Sequence, residues 1–151
     1  MIRTSLVVLS MVCLIGSALA SDLTPEEQII TRQSGYRFMS WNMGKIKANL
    51  DGEFNPQQVS NAANAVAGIA NSGMAALFGP GTDQAIGDVT TRAKPELFTD
   101  RDGVIEVARA FIAAANNLAE VADGGERAEV ARAFGELGQA CKSCHDKYRM
   151  K

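Results

Sequence analysis

Histidine occurs once in this 151-residue chain, at position 145. No second imidazole is available to work beside it as an acid or base. Cysteine is nearly as scarce, with three in all, at positions 13, 141 and 144. Cationic charge is not in excess, 15 basic side chains facing 17 acidic ones, and no long basic run exists to track a phosphate backbone. The Asp and Glu residues fall mostly at helix ends and on outer faces, where a solvated surface accounts for them. No stretch alternates β-branched residues as a half-buried strand would. The Gly79-Pro80-Gly81-Thr82 loop lacks the lysine and the preceding strand of a phosphate cradle. These absences argue against an enzyme and against a nucleic-acid binder.

The chain opens with Met1-Ile2-Arg3, an apolar run from Leu6 to Gly16, and Ala18-Leu19-Ala20. That order is the pattern of a signal peptide over residues 1–20, cut after Ala20. A run of eleven residues is too short for a hydrocarbon layer that needs ~20. We expect an exported chain with no membrane attachment after cleavage. Removing 20 residues from 151 leaves 131, enough for one domain, 21–151, with its own core. Arg3 leaves with the leader, so 14 cations face 17 acids and the net charge becomes −3 with His145 neutral. Cys13 leaves as well. The two remaining thiols, Cys141 and Cys144, lie inside one short motif.

Four helical patterns follow. Thr24-Pro25-Glu26-Glu27 carries a capping box and a first-turn proline, and predicts a helix to about Leu50 with Arg32, Tyr36, Met39, Met43, Ile46 and Leu50 inward. Asn55-Pro56-Gln57-Gln58 repeats the start signal for a second helix reaching about Leu77, striped with small residues. Gly79-Pro80-Gly81 stops it, and a connection of roughly twenty residues follows, long for a bundle. A third helix begins near Asp100 and ends at Gly124-Gly125. A fourth, from about Glu126 to Tyr148, puts Ala131, Phe134, Leu137, Gly138, Cys141, Cys144, His145 and Tyr148 on one stripe. Joined short, long, short, these describe an all-α, antiparallel, up-down-up-down four-helix bundle with its long connection between helices 2 and 3.

Cys141-Lys142-Ser143-Cys144-His145 is the signature of covalent haem attachment. On a helix the two thiols share a face, able to add to the two vinyl groups of one porphyrin, and the imidazole one residue on can supply an axial nitrogen to the iron. A redox dithiol usually opens a helix, where the macrodipole lowers a thiol pKa, whereas this pair sits at a far end. A zinc site needs four ligands, and thiol and imidazole together stop at three. With one histidine, bis-histidine ligation is impossible and only one haem c is expected, with His145 as its metal ligand. The sixth position is left to a methionine, another side chain, water or nothing. Only six residues follow His145, so the distal side must come from earlier helices.

The whole mature chain resembles cytochrome c′, the class II c-type cytochromes of bacterial periplasms. The resemblance rests on Thr24-Pro25-Glu26-Glu27, Arg32-Gln33 leading to Tyr36, Asn42-Met43-Gly44, the Phe78 to Thr82 loop, Arg92 to Glu96, and the closing Cys141 to Arg149. It implies a periplasmic homodimer with five-coordinate, high-spin iron that binds NO and CO, whose task is electron transfer or NO handling. By position, Arg32, Gln33 and Arg92 would lie by the haem propionates, Arg149 near the proximal imidazole, and Tyr36 with Met39 on the distal side. Tyr36 departs from the aliphatic residue often found there, and implies a modified gas affinity. The rival reading is a low-spin electron carrier in which Met39 or Met43 is the sixth ligand. The outer face of the first helix, around Trp41 and Lys45, is the expected dimer contact. A redox partner is not identified by the sequence.

Overall fold

A computed structural model of the chain describes residues 23–151. The leader, its cut after Ala20 and Cys13 lie outside the described residues. Four long helices make the body: α1 (Pro25–Asp51), α2 (Pro56–Ala70), α4 (Arg101–Gly124) and α5 (Arg127–Tyr148), with a single short turn of helix, α3 (Glu96–Thr99), before α4. Among the described residues there is no named strand, and no helix is long and apolar enough to cross a membrane.

The helix starts follow their local chemistry. Glu27 N–H donates to Thr24 Oγ1 at 3.3 Å while Thr24 N–H donates back to Glu27 Oε2 at 2.8 Å, closing the capping box. Asn55 Oδ1 accepts from Gln58 N–H at 3.0 Å at the start of α2, and Asp100 Oδ1 accepts from Gly103 N–H at 3.1 Å at the start of α4. Gly125, at φ 75°, takes the left-handed position that ends α4.

Three neighbouring pairs, α1 with α2, α2 with α4, and α4 with α5, pack along their lengths. The fourth side does not close, since α1 and α5 barely touch. The shared core runs through Ile46, Val59, Val66, Leu118, Val130 and Leu137, all at zero exposure, with Ala62, Ala63, Ala115 and Ala133 letting backbones approach closely.

Two sequence expectations are corrected. The second helix stops at Ala70 rather than Leu77, because Asn71 Nδ2 and Ser72 Oγ donate to the carbonyls of Ala67 and Ile69, both at 2.7 Å, and Gly73 then turns left-handed at φ 81°. Residues Met74–Leu77 form a separate 3₁₀ turn. On α5, Ala131, Gly138 and His145 are exposed, and the inward line instead runs Val130, Ala133, Leu137, Cys141, Cys144, Tyr148. The spacing is still helical, but the stripe is turned so that α5 leans on α4.

That lean is fixed at the far end. Tyr148, 2 % exposed, donates its hydroxyl to Asp100 Oδ2 at 2.6 Å, and Lys147 Nζ lies 3.0 Å from the same oxygen. These bonds, with the Gly103 amide, hold the Asp100 carboxyl down at about 2, well under its ordinary value. Gly103 is required underneath, since a Cβ there would collide with Asp100 Oδ2, Tyr148 Oη and Lys147 Nζ. Gly103→Ala is therefore expected to lower unfolding free energy by about 1–2 kcal/mol despite alanine's better helix propensity. Gly135→Ala in mid-α5, where a Cβ meets nothing within 4 Å, is expected to raise it by up to ~1 kcal/mol. Urea denaturation of the two variants checks both signs.

Candidate functional site

The last two turns of α5 carry Cys141, Cys144 and His145. Both cysteines are free thiols, half-buried, at positions that continue the core line of the helix. Burial pushes both thiols up, and for Cys141 the neighbouring Cys144 adds to the effect. They stand protonated at neutral pH, the reverse of an activated dithiol. His145 projects outward, held below its usual value first by burial and then by the charge of Arg149, with Asp146 opposing and Arg92 adding slightly. Its imidazole is neutral at pH 7, the form a metal needs. Among the described residues no group of three or more His, Cys, Asp or Glu converges on a metal site.

Across the opening between α1 and α5 stands Tyr36. It is 41 % exposed, yet its hydroxyl is pushed up to about 12. The largest cause is burial. Cys144 and, more weakly, Cys141 raise it further, while Arg32, one turn away, pulls it down, so Tyr36 and the two thiols are electrostatic neighbours. Apolar side chains of the neighbouring elements are only half covered: Val107, Phe111 and Ile112 on α4, Phe134 on α5, and Phe98, whose ring lies tilted 6.4 Å from that of Phe78. Met39 does not join them. It is 5 % exposed, inside the core, and Met43 packs half-buried against that core.

Arg32 is 3 % exposed and is spent on the long connection. Nη1 donates to Leu77 O at 3.0 Å and Thr82 Oγ1 at 2.7 Å, Nη2 donates to Thr82 O at 2.6 Å and Thr91 Oγ1 at 2.8 Å, and the guanidinium lies 4.4 Å over the Phe78 ring. Gln33 Nε2 donates to Thr90 O at 2.6 Å, and Gln28 Oε1 accepts from Gly79 N–H at 3.1 Å. The resemblance offered Arg32 and Gln33 only as neighbours of propionates; in the structure both are anchors of the loop. Arg92 goes to the other side, donating from Nε and Nη2 to Met150 O at 3.0 and 2.7 Å, and shares with His145 and Arg149 a recess of about 190 Å³. Thr82 and Thr91 carried no sequence signal as partners. Gln28 did, since it stands one turn before Arg32 on the same inward face, an unusual pair of polar residues on a core stripe.

The residues fit a porphyrin. Two half-buried thiols share one helix face, the imidazole beside them is neutral, and Arg32 is a buried cation with no carboxylate within salt-bridge distance among the described residues. Only its Nε hydrogen remains uncommitted, a single donor for an anionic group. A helical bundle open on one side, with its attachment motif on the final helix, defines an all-α c-type cytochrome.

Comparison with known proteins narrows the class. Residues 27–149 match the family described as Cytochrome C'. A cytochrome c′ of Allochromatium vinosum is 63 % identical over 138 residues, covering 91 % of this chain and 90 % of that protein. A cytochrome c′ of Rhodocyclus tenuis is 48 % identical over 127 residues, covering 83 % and 96 %. Among solved structures, the cytochrome c′ of Thermochromatium tepidum superposes with a TM-score of 0.85 at 61 % identity, covering 87 % of this chain and all of that one. The chain belongs to the cytochrome c′ family, and its cofactor is haem c bound covalently through Cys141 and Cys144. This is a family of haem proteins for electron transfer and gas binding rather than of enzymes.

The loop anchor yields a prediction. Arg32→Met removes four hydrogen bonds and strands the Leu77 and Thr82 carbonyls, with an expected loss of about 3 kcal/mol. Limited proteolysis checks where the loss falls, with cleavage expected between residues 78 and 91 well before any cut in α2 or α4.

Proposed function

We propose that the chain is a periplasmic monohaem cytochrome in which His145 is the single protein ligand to iron and the opposite face, guarded by Tyr36, takes small uncharged gases. The observation that carries the reading is the division of labour on α1. Tyr36 stays half-open and within electrostatic reach of the tether cysteines, while Met39, one turn on, is sealed in the core. A bound haem iron supplies one-electron chemistry and an open coordination position for a gas. The chain's own part is to fix the plane by two thioethers, to present a neutral imidazole, and to crowd the gas-binding side with an aromatic ring. Burial first, and then the charge of Arg149 in the same recess, hold that imidazole below its ordinary range. Export through the leader over residues 1–20 and a mature domain over 21–151 complete the reading.

Two observations on relatives support it. A cytochrome c′ from Alcaligenes xylosoxidans, 28 % identical with a TM-score of 0.75, has been solved with carbon monoxide bound, and another of its variants, 26 % identical with a TM-score of 0.77, with NO bound. A further cytochrome c′, 63 % identical with a TM-score of 0.85, is described as having ligand-controlled dimer dissociation. Here the outer face of α1 is the contact we assign to a homodimer. Trp41, 58 % exposed, stacks on Phe38 at 5.5 Å, and Lys45 Nζ sits 4.7 Å over the indole.

Optical and EPR spectra of the purified protein at neutral pH test the iron reading. High-spin signals in both oxidation states are expected, with no sulfur-to-iron charge-transfer band. Tyr36→Ala is expected to tighten CO binding about tenfold, equivalent to ~1.4 kcal/mol of relieved crowding, and Met39→Leu to leave the spin state unchanged. A low-spin ferric spectrum abolished by Met39→Leu or Met43→Leu would replace this reading with the methionine-ligated electron carrier. For the dimer, Trp41→Glu is expected to shift sedimentation from two-chain to one-chain mass without altering the haem spectrum.

A further inference from the structure

Charge is unevenly distributed over this acidic protein. Six cations, Arg92, Lys94, Lys142, Lys147, Arg149 and Lys151, gather where α5 ends. Two of them are neutralised, Lys142 by Asp146 and Lys147 by Asp100. The other four have no carboxylate within salt-bridge distance among the described residues. Residues 96–102, from α3 into the start of α4, add Arg101 with Glu96, Asp100 and Asp102, so this end, with Asp146, holds seven cations against four acids. The remainder of residues 23–151 holds seven cations against twelve acids. One end is thus about +3 and the rest about −5.

The C-terminal dipole of α5 attracts cations to its last turn and accounts for Lys147 and Arg149. It does not account for Arg92 and Lys94, which arrive from the long connection. Main-chain pairing brings them there. Lys94 N–H donates to Tyr148 O at 2.9 Å and Met150 N–H to Arg92 O at 2.8 Å, and Lys94 Nζ then reaches the carbonyls of Asp146 and Lys147 at 3.1 and 3.2 Å. Between the strap and the helix end lies the recess of about 190 Å³ lined by Arg92, His145, Asp146, Arg149, Met150 and Lys151. Asp146 is its one acid, and that carboxylate is engaged by Lys142.

We infer that this end is a cationic docking face for negatively charged electron donors and acceptors, with the recess beside His145 seating an anionic group of the partner. The inference rests on the haem reading above. A local field of one sign governs encounter over roughly a Debye length, about 10 Å at 0.1 M salt, so the partner senses the +3 end rather than the chain's net charge.

The test is oxidation of the ferrous haem protein, which passes one electron from iron to an outside oxidant, followed by stopped flow as ionic strength rises from 10 to 300 mM. Two oxidants of opposite sign are used, hexacyanoferrate(III) and tris(phenanthroline)cobalt(III). The docking face requires the hexacyanoferrate rate to fall severalfold with salt and the cobalt rate to rise. Lys94→Glu with Lys151→Glu is expected to flatten or reverse the hexacyanoferrate slope with an unchanged haem spectrum. Lys47→Glu with Arg132→Glu, at the opposite end of the bundle, is expected to leave it as it was. A hexacyanoferrate rate that rises with salt, as net charge −3 alone demands, overturns the docking face while leaving the haem reading intact. No reaction with either oxidant overturns both.

Discussion

Everything in this bundle is arranged around a side that the protein itself does not close. Three helix pairs pack along their lengths, but α1 and α5 stay apart, and the side chains facing the gap are apolar and only half covered. Open apolar walls of that kind are costly in water unless something fills them, each half-exposed aromatic forgoing part of about 25 cal/mol for every Å² it could bury. Tethering a flat apolar group at Cys141 and Cys144 supplies the missing fourth wall. The cofactor would thereby be part of the core as well as the seat of the chemistry.

Much of this was legible in the sequence, for identifiable reasons. Helix starts were readable because Thr24, Asn55 and Asp100 act within a single turn, and the hydrogen bonds appear where the spacing put them. The attachment motif was readable because its chemistry is local too. The long connection was legible as long but not as ordered, since its order comes from contacts more than forty residues apart, such as Arg32 with Thr82 and Thr91. A cation on an inward stripe can signal a cofactor anion, a buried loop anchor or both, and the four bonds from Arg32 to the loop become visible only in the folded chain. The end of α2 was misread for the opposite reason. Asn71 and Ser72 compete for the helix carbonyls over a few atoms, and an apolar pattern continuing to Leu77 conceals that competition.

The face opposite the opening shows the same economy of means. Trp41 and Phe38 are large, exposed and stacked on one another, and they lie on the side of α1 turned away from the buried Met39, Asn42 and Ile46. One helix thus carries the half-open Tyr36, the loop anchor, the core methionine and the surface assigned to a second copy. A change in how α1 sits reaches all four, which gives a physical route by which filling the gap and self-association can influence one another.

The strap between the long connection and the tail gives the loop a further character. Arg32 of α1 holds its near end at Thr82 and its far end at Thr91, and the residues just beyond, Arg92 and Lys94, lace that far end to residues 148–150. The side bearing Tyr36 and the side bearing His145 are therefore joined by a taut crossbar as well as by the helices. Widening the gap must either stretch that crossbar or carry the tail along with α1, so the two jaws of the site share one degree of freedom.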